Sequence, residues 1–373
     1  MAEDDTLPEP DRAEGALHPR ETPVIHGQQD AMAQFLAAHA AGRLHSGWLI
    51  TGPQGIGKAT LAYQIAGHLL STPAPGGGLF AADPGPMPYA SPADLALLRA
   101  GSHPRLCIIR RGHDDKGKPR SQITVDEVRR LRGFFQLSAA DGGHRVVIVD
   151  PADDLNPNAA NAILKLLEEP PAGAVLLLIS HQPSRLLPTI RSRCRTLRCA
   201  TLGAADLAAA LAQQGVASEA TEALAELAAG SVGQAIRLVN MDGLEIYADL
   251  VRLLSDLPRL DRPAAIRLAE SCIGKNSEPR FSHLLDLLDL FLSRAARAGL
   301  FGEPPVQGAP GESRLLARLS PHDAAARAWA ALQQDLSTRV RHGKAVNLDP
   351  SSLILDMLWR IEDTARTTTT AAA

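Results

Sequence analysis

The sequence predicts an α/β domain, a parallel sheet with helices on both faces, followed by an all-helical C-terminal half. Three observations carry this prediction. Short, nearly continuous apolar runs at 47–51, 106–109, 145–150, 174–180 and 195–199 alternate with segments of helical spacing, as parallel strands buried on both faces do. A glycine-rich turn, Gly52 to Thr60, joins the first run to a helix. From about Leu202 onward no strand pattern is found, and leucine and alanine recur at helical spacing.

Length and charge set the bounds. A chain of 373 residues exceeds one typical core and calls for two or three domains. Its net charge of −3 gives no basic field for nucleic acid. No run of 18 apolar residues could span a bilayer, and the acidic start, Met1 to Thr6, lacks the apolar core of a signal peptide. A soluble cytoplasmic protein is expected. Cys107, Cys194, Cys199 and Cys272 form no CxxC pair, which supports neither a zinc site nor a redox motif.

Taken in order, residues 1–19 are rich in Pro, Glu and Asp and are expected to be a disordered tail. Residues 20–200 make the α/β domain. Met32, Phe35 and Leu36 predict a helix ahead of the first strand. Proline and glycine clusters between 71 and 104 predict a long loop with a short helix over 91–100. The charged stretch 110–120 reads as a solvated turn. Thr124 and Glu127 have capping-box spacing, opening a helix with Val128, Leu131 and Phe135 on one face. Asn156 caps, with Pro157 in first position, a helix that buries Ile163, Leu166 and Leu167 and stops at Pro170-Pro171. A short helix over 187–192 precedes the last strand. Residues 201–243 read as a small helical domain and 244–365 as a second helical unit. In the latter, 281–292 is the strongest element, 304–311 a loop, and the last helix follows Asp349-Pro350. The tail 366–373 is of low complexity and expected to be disordered.

The residues that could carry chemistry begin with Gly52, Pro53, Gln54, Gly55, Ile56, Gly57, Lys58, Ala59 and Thr60. Strand, glycine turn and helix are the setting of a phosphate-binding loop, whose N–H groups curl around phosphate oxygens at the positive end of the helix. Lys58 would reach the outer phosphates. The residue after it should be Ser or Thr, to ligate Mg²⁺, and here it is Ala59; Thr60 lies about 100° further round the helix. A second strand ends in Asp150, suited to hold Mg²⁺, but the next position, where many such enzymes place a glutamate, is Pro151. Asp153 and Asp154 lie beyond the strand end and read as solvated loop charges. Two positions thus fail in the same direction, against hydrolysis.

Four segments in order carry a resemblance: the glycine turn, the strand ending at Asp150, Asn161-Ala-Ile-Leu-Lys-Leu-Leu-Glu-Glu-Pro-Pro171, and Leu186-Leu-Pro-Thr-Ile-Arg-Ser-Arg-Cys194. Over about residues 20–365 the chain resembles bacterial clamp-loader subunits of the AAA+ superfamily, in particular the delta-prime family of DNA polymerase III. The Leu-Glu-Glu-Pro-Pro and Ser-Arg-Cys segments are far more specific than the glycine turn. The resemblance implies an AAA+ P-loop domain, a helical lid over 201–243 and an oligomerising collar over 244–365. It implies that Arg193, between Ser192 and Cys194, is an arginine finger acting on ATP held by a neighbouring subunit. A guanidinium suits that role, being planar and permanently charged. It also implies an arginine at position 233, two residues after Ser231, for sensing nucleotide. That position is Gly233, and Arg237 reads as a surface residue. Many relatives carry a four-cysteine zinc module after the P-loop helix; residues 71–104 contain no cysteine, so no zinc is expected.

The leading expectation is therefore a non-hydrolysing subunit of a hetero-oligomeric clamp loader. Its implied partners are gamma/tau motor subunits, a delta subunit, the sliding clamp and primer–template DNA. Weak nucleotide or phosphate binding at the glycine turn is left open. One alternative is an active ATP-hydrolysing motor subunit of the same superfamily. Another is a stand-alone DNA-binding module, disfavoured by the charge and by an aromatic content of 3% for base stacking.

Overall fold

The computed structural model describes residues 9, 12, 15–71, 92–114, 117, 120–136, 143–216, 221–274 and 277–370. They divide into two compact units, Met1–Ala217 with Ala229–Ile236, and Ser218–Ala228 with Arg237–Ala373.

The first unit is the expected α/β domain. Its elements are α1 (Gln29–Ala40), β1 (Gly47–Thr51), α2 (Lys58–Leu70), α3 (Pro92–Arg99), β2 (Leu106–Ile109), α4 (Val125–Gln136), β3 (Arg145–Val149), α5 (Pro157–Glu168), β4 (Ala174–Ser180), α6 (Pro188–Ser192), β5 (Arg195–Arg198) and α7 (Ala204–Gln213). The five strands form one parallel sheet in the order β2-β3-β4-β1-β5. Every residue of β1, β3 and β4 is buried, which is why these strands read as unbroken apolar runs. Alternate side chains serve opposite faces. Leu49, Val147, Val149, Leu176 and Leu178 pack with Val128 and Leu131 of α4 and Ile163 and Leu167 of α5. Trp48 meets Phe35 of α1 edge-on, ring centroids 5.0 Å apart, and the Arg195 guanidinium lies 5.3 Å from the Trp48 ring.

The caps divide. Asn156 accepts from the Ala159 amide at 2.8 Å, as expected. The Thr124–Glu127 box does not form: Thr124 Oγ1 is buried without a hydrogen-bond partner, and Glu127 pairs with Arg130. The approach to α4 is instead fixed by a parallel bridge between Ile123 and Leu155. The expected loop over 71–104 falls mostly on 72–91, outside the described residues, and its helix is α3. Of the expected N-terminal tail 1–19, residues 9, 12 and 15–19 are described, and these are held by contacts. Glu9 pairs with Arg20 at 2.9 Å and with Arg110 at 3.0 Å, and Ala16 and His18 are buried. The burial of an apolar and a polar side chain and these ion pairs offset the ordering entropy that composition alone suggests is too high.

The second unit is helical: α8 (Thr221–Leu227), then α10 (Gly243–Leu254), α11 (Arg262–Glu270), α12 (Glu278–Phe301), α13 (Glu312–Leu319), α14 (Asp323–Ala345) and α15 (Pro350–Thr370). Between α8 and α10, α9 (Val232–Asn240) begins in the first unit and ends in the second, so the division falls inside the 201–243 segment. The predicted disordered tail 366–373 is corrected over 366–370, where α15 continues to Thr370; 371–373 lie outside the described residues. The Thr367 and Thr368 hydroxyls donate to the Thr364 carbonyl, and Thr368 is buried. Back-bonding satisfies these hydroxyls inside a helix that β-branched composition argues against.

A buried charge network holds this unit. Glu312, fully buried, accepts from Arg294 Nε at 2.6 Å, from the Tyr247 hydroxyl at 2.5 Å and from the Gly308 amide at 2.5 Å. Arg294 Nη1 also donates to Glu226 at 2.6 Å. Burial, then the adjacent carboxylate, push the Tyr247 hydroxyl up, so it remains a donor. Glu312→Gln leaves Arg294 buried and undercompensated, and is expected to lower stability by about 3 kcal/mol, read from urea unfolding.

Three histidines cluster in the first unit. His39 Nδ1 and His68 Nε2 are 2.9 Å apart, and the His39 and His144 rings lie 5.8 Å apart. Burial lowers the basicity of His39 and His68; His144 adds to it at His39, and His39 and His144 add to it at His68. Their folded values lie below the ordinary 6.5, so the stability they permit is present above that pH and lost as pH falls through the depressed values. Thermal unfolding between about pH 7 and pH 5 should therefore show a shallower acid loss for His68→Gln than for the parent chain.

Candidate functional site

The glycine turn runs from the C-terminal end of β1 to α2. Gly52, Gly55 and Gly57 have φ of 147°, 77° and 94°, and the turn needs glycine there because L side chains rarely enter that region. Gln28, 2% exposed, fastens the turn to the exit of β5: its Nε2 donates to the Ile56 and Ala200 carbonyls at 3.0 and 2.7 Å, and its Oε1 accepts from the Ala200 amide at 3.0 Å. Nothing periodic in the sequence marks Gln28; its only signal is an amide just ahead of α1.

Lys58 is buried and turned back on its own loop, donating to the Gly52 carbonyl at 2.7 Å and to the Pro53 carbonyl. Burial lowers its pKa to about 8, against the pull of Asp150, Cys199 and Asp153. Asp150, 7% exposed, directly follows β3, which stops one residue before the strand end the sequence suggested. The loop is also gripped from the start of α9. Ser231 Oγ donates to the Gln54 carbonyl at 2.9 Å, and the Gly233 amide donates to the Gly55 carbonyl at 3.1 Å. A Cβ on Gly55 would come within 2.4 Å of Ser231 Oγ and 3.2 Å of the Gly233 backbone. Where the family resemblance implies a sensing arginine, a backbone lies against the loop instead. Arg237 is a surface residue paired with Asp286 at 3.2 Å.

Asp153 is not the solvated loop charge the sequence suggested. It clasps the end of β4, accepting from Ser180 Oγ at 2.8 Å, from the His181 amide at 2.5 Å and from the Gln182 amide at 3.3 Å. Asp154 lies 3.4 Å from Arg111, and burial raises its carboxyl above the usual range. Burial, with Lys58 alongside, lowers His181 to about 4, so its imidazole is neutral. The sequence reading missed Ser180 and His181, whose only signal is their place at the end of a strand, one and two residues beyond the level of Asp150.

These side chains converge on one end of the sheet: Lys58, Asp150, Asp153, His181 and Cys199. They supply one lysine already bonded to its own loop, no hydroxyl at Ala59 and no carboxylate at Pro151. The set does not fit a magnesium-bound nucleotide poised for hydrolysis. Among the described residues no group of three or more His, Cys, Asp or Glu could hold a metal ion, and all four cysteines are free thiols.

Arg193 lies elsewhere. β1 and β5 are parallel, with Trp48 level with Arg195 and Thr51 with Arg198. Arg193 therefore sits before the start of β5, at the opposite end of the strand pair from Gly52, about 20 Å away at the rise of an extended chain. Its backbone is tightly seated. A Cβ on Gly47 would meet Leu167 Cδ2 at 2.6 Å, the Arg193 carbonyl at 3.2 Å and Cys194 Sγ at 3.2 Å. Burial pushes the Cys194 thiol up to about 12, so it packs as an apolar atom and is no nucleophile. The Ser192 hydroxyl donates to the Thr189 carbonyl at 3.1 Å, closing the turn. The Arg193 side chain is more than a third exposed, as are those of Arg191, Arg195 and Arg198.

The family model described as DNA polymerase III, delta subunit, matches residues 27–203. DNA polymerase III subunit delta' of Escherichia coli K12 is 30% identical over 331 residues, 88% of this chain and 92% of that one. The protein of the same description from Pseudomonas aeruginosa is 40% identical over 227 residues, 60% of this chain and 64% of that one, so the match spans just under two thirds of its length. DNA polymerase III subunit gamma/tau of Mycobacterium tuberculosis is 30% identical over 173 residues, 45% of this chain and 27% of that one.

Proposed function

The chain belongs to the delta-prime family of DNA polymerase III subunits, and we propose that it serves there as a non-hydrolysing clamp-loader subunit that supplies Arg193 in trans. In this reading residues 20–200 are the AAA+ module, 201–243 the lid and 244–365 the oligomerising collar. Gamma/tau motor subunits bind and hydrolyse ATP. Together with a delta subunit they open the sliding clamp and close it on primer–template DNA. The relatedness to a gamma/tau subunit supports a common module for motor and partner.

The observation that carries the reading is the separation of the two chemistries within one strand pair. The glycine turn lies at one end of β1, and Arg193 at the other end, beside the start of β5. An arginine side chain does not span that distance, so its charge is available only to a phosphate outside this chain. There it would bridge oxygens of the transferred phosphoryl group and stabilise the charge that develops as the bond breaks. Ser192 and Cys194 hold the backbone that presents it. Trans placement also makes hydrolysis conditional on assembly.

The glycine turn supports the non-hydrolysing half of the reading. Ala59 offers no hydroxyl for magnesium and Pro151 no carboxylate for an attacking water. An active motor subunit would need other residues to supply both. ATP turnover by the isolated chain, abolished by Lys58→Ala, would establish that alternative; no turnover above background is expected.

The direct test is a reconstituted complex of this chain with its motor subunits. Arg193→Ala is expected to leave assembly intact and to lower DNA-stimulated ATP hydrolysis and clamp loading by about 10³-fold or more at the neighbouring site. Loading at the parent rate would overturn the finger assignment.

A further inference from the structure

Arg193 is held back on its own chain. Its Nη2 donates to Glu168 Oε1 at 2.9 Å, and its Nη1 donates to the Thr189 carbonyl at 3.1 Å and lies 3.4 Å from Ser192 Oγ. Both terminal nitrogens, the ones that would grip a phosphate, are thus engaged locally. The backbone beneath cannot supply the movement, because Gly47 admits no Cβ between Leu167, the Arg193 carbonyl and Cys194. Any advance toward a neighbour must come from the side chain leaving these contacts.

Glu168 is an odd residue for its place. It ends α5, and Glu169 follows as the C-cap, so two carboxylates stand at the negative end of a helix dipole. Only Lys165 in that last turn offers a countercharge within the helix. Pro170 and Pro171 stop the helix there and fix Glu168 beside the finger turn. Local rules broken in this way are expected at functional positions.

We propose that Glu168 is a latch: a positioning residue that holds the Arg193 guanidinium retracted in the unassembled subunit and releases it to a phosphate brought by a neighbour. The proposal rests on the trans-finger reading above. The latch is weak by design of its surroundings. The two side chains are 37% and 47% exposed, and ion pairs so exposed hold only loosely in water. A phosphoryl group offers several charged oxygens to the same fork and outcompetes one carboxylate. Release is therefore driven by the arrival of the correctly placed ligand, and a stray anion in solution gains less because it lacks the fixed position.

The experiment compares parent, Glu168→Gln and Arg193→Ala chains, each reconstituted with the motor subunits. It reads kcat/KM for DNA-stimulated ATP hydrolysis at about 50 mM and about 500 mM salt. Glu168→Gln is expected to raise kcat/KM about two- to fivefold at low salt. The gain should shrink toward unity at high salt, where exposed charges are already screened. A purely structural role for Glu168 would lower the rate and leave no salt signature. A kcat/KM unchanged or reduced at low salt by Glu168→Gln, with Arg193→Ala impaired, overturns the latch and leaves the finger standing. An unimpaired Arg193→Ala complex overturns both.

Discussion

The parallel pairing of β1 with β5 is the constraint on which the rest depends. Parallel strands begin at the same end and finish at the same end. A loop that follows one and a turn that precedes the other must then lie a full strand length apart. Gly52 follows β1 and Arg193 precedes β5. The sheet thus separates the glycine turn from a cationic side chain, and no side-chain movement can reunite them. In the assembly proposed above, the same separation would set one module's glycine turn against the next module's arginine.

Around that frame, small residues decide what may approach. Gly47 lets Leu167 and Cys194 close on the start of β1, which fixes the backbone under Arg193. Gly55 lets the start of α9 close on the glycine turn. The polar contacts then do what apolar packing cannot. Gln28 ties the turn to the exit of β5, Asp153 ties the end of β3 to the end of β4, and Glu312 gathers Arg294, Tyr247 and Gly308 in the helical unit. A buried polar group left without a partner costs about 1–3 kcal/mol, so each of these ties also specifies one arrangement against others.

Much of this was legible in the sequence. Strands buried on both faces leave apolar runs, and Asn-Pro opens a helix by a local hydrogen bond. What escaped reading was long-range and polar. The Ser231–Gln54 and Gln28–Ala200 contacts join residues more than 170 positions apart. No periodicity reports such pairs. Asp153 looked like a loop charge because its partners are two backbone amides and a serine on another strand. Thr124 had the right spacing for a cap, but spacing does not say which way the chain enters the helix. The threonine-rich end of α15 was misjudged because composition records propensity and not the burial of Thr368.

The grip of α9 gives the glycine turn a second role. The Gln54 and Gly55 carbonyls anchor Ser231 and Gly233, and Gly233 offers its backbone where the family resemblance implies a side chain. A side chain at position 233 would have to be accommodated where the Gly233 backbone now meets Gly55. The glycine turn thereby also serves as a joint, tying the start of α9 to the end of β1.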